Sequence, residues 1–204
     1  MAYEKVVLFD GTNLDNWYSR LDGGPAKWEI GDDGAMTVVA RSGDIISKET
    51  YGDAHVHVEF WLPLMADQHG QSRANSGVYV QGCYEVQVLD SFGLATPGDG
   101  DCGGIYGYYK PLCNANLEPE KWQTYDIYIR AAKFDENGEC IEDAFITVLL
   151  NGVCIHNASR LYDATGGNLE NRRVPVGPLM LQDHQCPVRY RNIWSGRLDR
   201  DSDK

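Results

Sequence analysis

The sequence predicts an all-β chain folded as a two-sheet antiparallel sandwich of the jelly-roll type, and three observations carry that prediction. Apolar and polar residues alternate in short runs, the period of a strand with one face in a core. The runs are separated by turn residues: Asp32-Asp33-Gly34, and the hairpin dipeptides Asn137-Gly138 and Asn151-Gly152. No stretch of three helical turns carries an apolar stripe at 3.6-residue spacing.

In chain order, strands are expected over 35–40, 55–62, 77–79, 84–89, 124–131, 145–150, 179–182 and 188–197. Each is a run rich in β-branched or aromatic residues with a partner turn nearby. A short helical turn is expected at 44–51. Between these, 91–121 is rich in Gly, Pro and Tyr without alternation, and loops of that length in a compact domain are usually functional. A second irregular stretch, 161–178, contains Thr165-Gly166-Gly167 and rims the same or another edge. No boundary between domains is visible, so one domain spans 1–204, with a core over about 6–198.

Composition removes several function classes. Lys and Arg number 18 against 30 Asp and Glu, a net charge of −12, which is the wrong sign for a phosphate-binding face or an anionic membrane surface. The apolar run 145–150 is far too short to span a bilayer. The N-terminal segment lacks a basic stretch followed by a long apolar one, so a cytoplasmic location is expected unless the chain has been trimmed. The six cysteines include no CxxC pair, against a structural zinc knuckle, while Cys102 and Cys113 flank a loop that a disulfide would close in an oxidising compartment. The 12 Tyr and 5 Trp suit a carbohydrate surface.

Sorting strands by face brings out the candidate functional residues. With Val56, Val58 and Phe60 in the core, His55, His57 and Glu59 share the other face, where two imidazoles and a carboxylate are possible metal ligands. With Val86 and Val88 in the core, Glu85 and Gln87 share the opposite face, with Asp90 following. Gln182 and His184 lie together, as do Arg189 and Arg191. Arg73 either caps a turn or holds substrate. Tyr106, Tyr108, Tyr109 and Trp122 either pack loops or form a platform for a sugar ring, and His156 serves a loop contact. Gly98, Gly100 and Gly103 match a dinucleotide-binding pattern by letter, but no strand leads in and no helix follows. No GxSxG, HExxH or Walker A sequence is present.

Six blocks in order give a resemblance. They are 8–17 (LFDGTNLDNW), 75–79 (NSGVY), 84–90 (YEVQVLD), 122–127 (WQTYDI), 151–153 (NGV) and 181–193 (LQDH and VRYRNI). The chain resembles the 3-keto-disaccharide hydrolase family over about residues 6–198. The resemblance implies a concanavalin-like jelly roll, in agreement with the strand reading. It further implies chemistry on glycosides already oxidised at C3 by a separate nicotinamide-dependent dehydrogenase. A C3 ketone acidifies the C2 proton, so the glycosidic bond breaks by elimination, and water added to the enone gives net hydrolysis.

Such a site needs a base near C2, a group to hold the enolate oxygen, and an acid for the departing oxygen. The residues expected to supply these are Glu85, His184, Arg73 and His57, with Gln87, Asp90, Arg191, Gln182, Tyr106 and Trp122 binding the sugar. His184 or Glu85 is the base, and Arg73 or Arg191 holds the enolate. The sequence requires no cofactor. A divalent ion is a second way to polarise the ketone, with His55, His57 and Glu59 as ligands. Two other readings stand beside this one: a retaining β-glycosidase using Glu85 and Asp90, and a carbohydrate-binding module without catalysis.

Overall fold

The computed structural model describes residues 4–198. In chain order its strands are β1 (Lys5–Phe9), β2 (Trp17–Ser19), β3 (Glu29–Ile30), β4 (Met36–Thr37), β5 (Ile45–Tyr51), β6 (Ala54–Trp61), β7 (Ser76–Val80), β8 (Tyr84–Val88), β9 (Trp122–Arg130), β10 (Lys133–Phe134), β11 (Cys140–Glu142), β12 (Ala144–Leu150), β13 (Val153–Leu161), β14 (Gly177–Leu181) and β15 (Arg189–Arg197). A single 3-10 turn, Gly70–Ser72, is the one helical element among the described residues. The larger sheet runs β13-β12-β9-β6-β15-β4-β3, with β1 also on β15; the smaller runs β2-β5-β14-β7-β8; β10 and β11 form a separate hairpin. All pairings are antiparallel, and the two main sheets pack as a jelly-roll sandwich.

The alternation explains how the sheets stack. Along β6, β9 and β12 every second residue is buried: Val56, Val58 and Phe60, then Tyr125 and Ile127, then Ile146 and Val148. These meet Val78, Val80, Val86 and Val88 of the smaller sheet in one core. Strands β7 and β8 do not alternate, being buried on both faces. A layer must therefore cover their second face, and the irregular segments 89–121 and 162–176 supply it. Main-chain bonds Gln87 N to Gly104 O (2.9 Å) and Leu169 N to Gly82 O (2.9 Å) fasten the two segments there. His156 Nε2 meets Gly103 O at 2.7 Å, the loop contact expected of it.

Three expectations change. Residues 45–51 form β5, not a helical turn, because pairing with β2 and β14 satisfies the backbone and buries Ile45 and Ile46. The strand expected over 35–40 shrinks to Met36–Thr37. Strand β13 was not anticipated, because bulges against β12 and a left-handed Ala158 (φ 48°) erase its alternation. The three expected turns hold, and Asn151 and Gly152 both have positive φ, the geometry of a tight hairpin. All six cysteines are free: Cys102 is buried with its Sγ 3.3 Å from the Tyr125 hydroxyl, and Cys113 is exposed. No helix among the described residues is long and apolar enough to cross a membrane.

Candidate active site

The loop-covered face of β7, β8 and β14 holds a cleft of about 250 Å³. Glu85, Tyr79 and Gln87 line its floor, Gln71 and Asn75 one wall, Gly166 and Gly167 another, and Tyr106, Gln182 and His184 the remainder. A larger hollow of about 920 Å³, lined by Val6, Phe134, Ile141 and Val176 among others, lies elsewhere. The smaller one is the candidate site, because there a buried ionisable group meets convergent amides.

That group is Glu85, 3% exposed. Burial pushes its carboxyl up to about 7, against the pull of a hydrogen bond from Tyr79 and with a small further push from the Asp44 charge. Tyr79 Oη lies 2.8 Å from Glu85 Oε2 and 3.1 Å from Gly166 O, and it accepts from Gln182 Nε2 at 3.3 Å. A phenol has one proton to give. With Glu85 ionised, the Tyr79 proton points at the carboxylate. With Glu85 protonated, the carboxyl donates to Tyr79 Oη and the phenol turns its own proton to Gly166 O.

Local sequence builds this arrangement. Tyr79 and Glu85 face each other across the β7–β8 pair, as do Gly77 and Gln87. A Cβ on Gly77 would stand 2.3 Å from Glu85 Oε1, so only glycine leaves room for the carboxylate. Gly167, at φ +76°, would likewise drive a Cβ to 2.6 Å from Tyr79 Oη. The Tyr79 ring packs on Ile46 and Met180, a small apolar cluster beneath the loops. Gln87 Nε2 donates to Gln71 Oε1 (3.2 Å) and Gly100 O (3.3 Å), and Asn75 Nδ2 donates to Gln71 Oε1 at 2.9 Å. The buried acceptors Asn75 Oδ1 and Gln182 Oε1 have no hydrogen-bond partner among the described residues.

Of the residues singled out from sequence, Glu85, Gln87, Gln182, His184 and Tyr106 meet in the cleft. Arg73 and Asp90 do not line it. They pair with each other, Nε to Oδ2 at 2.7 Å, with the Asp90 side chain fully buried. Asp90 lies past the end of β8, so its side chain does not continue the Glu85–Gln87 face.

His57, His55, Glu59, Arg191 and Trp122 sit on the outer face of the larger sheet, across the core from the cleft. There Asp126 Oδ1 meets His55 Nε2 and His57 Nδ1, each at 2.8 Å, and Glu59 Oε2 accepts from Arg191 Nε at 2.6 Å. The Arg191 guanidinium covers the Trp122 ring at 4.0 Å. His55 and His57 thus turn to Asp126, and no group of three or more His, Cys, Asp or Glu among the described residues could hold a metal ion. Sequence reasoning missed Tyr79, Gln71 and Asn75. Tyr79 was within reach, since in the hairpin it shares the Glu85 face.

The family described as 3-keto-alpha-glucoside-1,2-lyase-like domain matches residues 4–195. A Parabacteroides distasonis protein provisionally called a glycosyl hydrolase is 38% identical, with 95% of this chain and 84% of that chain covered and a TM-score of 0.86. A second protein of the same organism and description is 17% identical (TM-score 0.68, 96% and 94% covered) and shows the same fold. The alginate lyase Aly36B, bound to an alginate trisaccharide, shares the fold at 12% identity (TM-score 0.50, 98% and 100% covered). No curated protein matches the chain. Matched along nearly its whole length, the chain belongs to the glycoside-acting family of 3-keto-alpha-glucoside-1,2-lyase-like domains.

Proposed function

We propose that this protein cleaves glycosides carrying a ketone at C3, removing the C2 proton and expelling the oxygen on C1. The observation that carries the reading is Glu85: a buried carboxyl shifted to about 7, and the one carboxylate lining the cleft among the described residues. A general base is most effective when its pKa lies near the working pH. A retaining glycosidase needs a second carboxylate facing the same bond, and Asp90 is instead paired with Arg73.

In the step, the Glu85 carboxylate takes the proton from C2. The C–H electron pair forms the C2=C3 double bond of an enolate with the charge on the C3 oxygen. As the ketone re-forms, that pair moves to C1=C2, the C1–O bond breaks, and the leaving oxygen takes a proton from His184. In an α-glucoside the axial C2–H and the axial C1–O lie on opposite faces of the ring. Glu85 on the buried floor and His184 at the exposed rim suit that division. With both arginines engaged elsewhere, the Tyr106 hydroxyl is the donor for the enolate oxygen. Sugar hydroxyls satisfy Asn75 Oδ1 and Gln182 Oε1. The substrate comes from oxidation at C3 by a nicotinamide-dependent dehydrogenase, and water added to the released enone gives net hydrolysis.

The test uses 4-nitrophenyl α-glucoside and its 3-keto counterpart. Release from the ketone alone is expected, slowed when C2 carries deuterium, with Glu85→Gln losing about 10²–10⁴ in kcat/KM. Equal release from the unoxidised glucoside, or an unaffected Glu85→Gln enzyme, overturns the reading.

A further inference from the structure

Two charged residues outside the cleft join its walls. Arg20 follows β2, and its guanidinium reaches the main chain of the glycine loop: Nη1 donates to Gly167 O and Nη2 to Asn168 O, both at 2.8 Å. Nη1 also donates to Asp44 Oδ2 at 2.9 Å. Asp44, just before β5, uses its other oxygen to accept from the Asp183 amide at 2.9 Å, between the cleft residues Gln182 and His184. Asp183 Oδ2 returns a bond by accepting from Gly43 N at 2.9 Å. One ion pair thus ties the loop that touches Tyr79 to the strand end that carries Gln182 and His184.

We propose that Arg20 and Asp44 are positioning residues for the Glu85 site, fixing the distance between its two walls and, as an ion pair, balancing the charge beside the Tyr79–Glu85 hydrogen bond. The proposal rests on the reading of Glu85 as the base. Within the loop, Thr165 fastens to β8 through its hydroxyl, but Gly166 and Gly167, which line the cleft, contribute only main chain and are held from outside by Arg20. Balance matters because the carboxylate is desolvated, and a lone charge nearby is poorly screened. The other polar or titratable groups around Glu85 are Tyr79 on β7, Gln71 and Asn75 before it, Gln87 on β8, Thr165 in the glycine loop, Gln182 and His184 after β14, Tyr106 from the long loop, and Tyr190 from the larger sheet. None of them is a carboxylate or a permanent cation; the Asp44 charge acts on Glu85 and Tyr79, and that of its ion-pair partner Arg20 opposes it at Tyr79.

The experiment follows the Glu85 carboxyl directly, by NMR titration of ¹³C-labelled glutamate with Glu85→Gln as the assignment control, in Asp44→Asn, Arg20→Gln and Arg20→Lys. Asp44→Asn should lower the Glu85 midpoint and Arg20→Gln raise it, each by roughly half a pH unit, and the double variant should return it toward the original value. Arg20→Lys keeps the charge but cannot span two carbonyls, so its midpoint should hold while turnover of the 3-keto glucoside falls about tenfold. Midpoints that stay fixed in both Asp44→Asn and Arg20→Gln, or undiminished turnover in Arg20→Lys, overturn the proposal. A protein inert toward every 3-keto glycoside but with shifted midpoints would refute the catalytic reading and leave the electrostatic one standing.

Discussion

Glu85 keeps its carboxyl out of water, and Gly77, diagonally across the β7–β8 pair, leaves the room for it. The arrangement has a thermodynamic signature. Burial raises this acid from 4.5 in an open chain to about 7 in the fold, so between those values the native state holds more protons than the unfolded one. Stability therefore falls as pH rises through that window and levels off above it. Glu85→Gln removes the penalty: relative to the parent, its free energy of unfolding should be little changed at pH 4 and clearly higher at pH 8.5, by up to about 3 kcal/mol, as chemical denaturation at the two pH values would show. A difference that is flat with pH would contradict the assignment. Much of this site was legible from alternation alone, which placed Glu85 with Gln87 and Gln182 with His184. Asn75 and Gln71 were not, because turns and loops lack the period that assigns a strand residue to a face.

Strand pairing decides what individual propensities leave open. Residues 45–51 carry Ser, Lys and Glu and read as a short helical turn, yet β2 and β14 on either side draw them into a strand. Such a decision depends on partners distant in sequence, which a local window does not contain. The β12–β13 hairpin shows the reverse case, where two residues specify the turn. Asn151 sits at φ 53°, accepts the Thr124 amide at 2.9 Å, and donates to Ala115 O (2.9 Å) and Gln123 Oε1 (3.2 Å). It thereby fastens β9 and the long loop to the hairpin. Asn151→Ala combines a strained backbone with three lost bonds, and chemical denaturation should show a loss of about 2–4 kcal/mol. A loss below half a kcal/mol would mean that the turn carries the hairpin unaided.

The two sheets give the molecule two unlike faces. One is the loop-covered cleft; the other is an open array in which imidazoles, carboxylates, tryptophans and arginines satisfy one another. Because the second face lies across the core, its residues should affect stability without affecting turnover. Burial works against ionisation of Asp126, but hydrogen bonds from His55 and His57 outweigh it and hold the carboxyl well below the usual carboxylate range. That depression stabilises the fold above about pH 4 and is lost as pH falls further. Asp126→Asn should cost about 1–3 kcal/mol at pH 7, less below pH 3, while kcat/KM stays within about twofold. A tenfold fall in turnover would instead connect this face to the site. Sequence patterning gave both faces their polar residues but could not say which face of which sheet receives a covering layer, since that depends on where two long loops come to rest.

The covering layer also sets the order in which the site comes into being. The Glu85 amide is held by the Thr165 hydroxyl, 80 positions further along the chain, and Gln182 and His184 come later still. While the protein is being made, Glu85 is therefore an ordinary solvated carboxylate. It acquires its altered acidity only when the last fifth of the chain has folded over it, so a prematurely terminated product carries the glutamate but not the base.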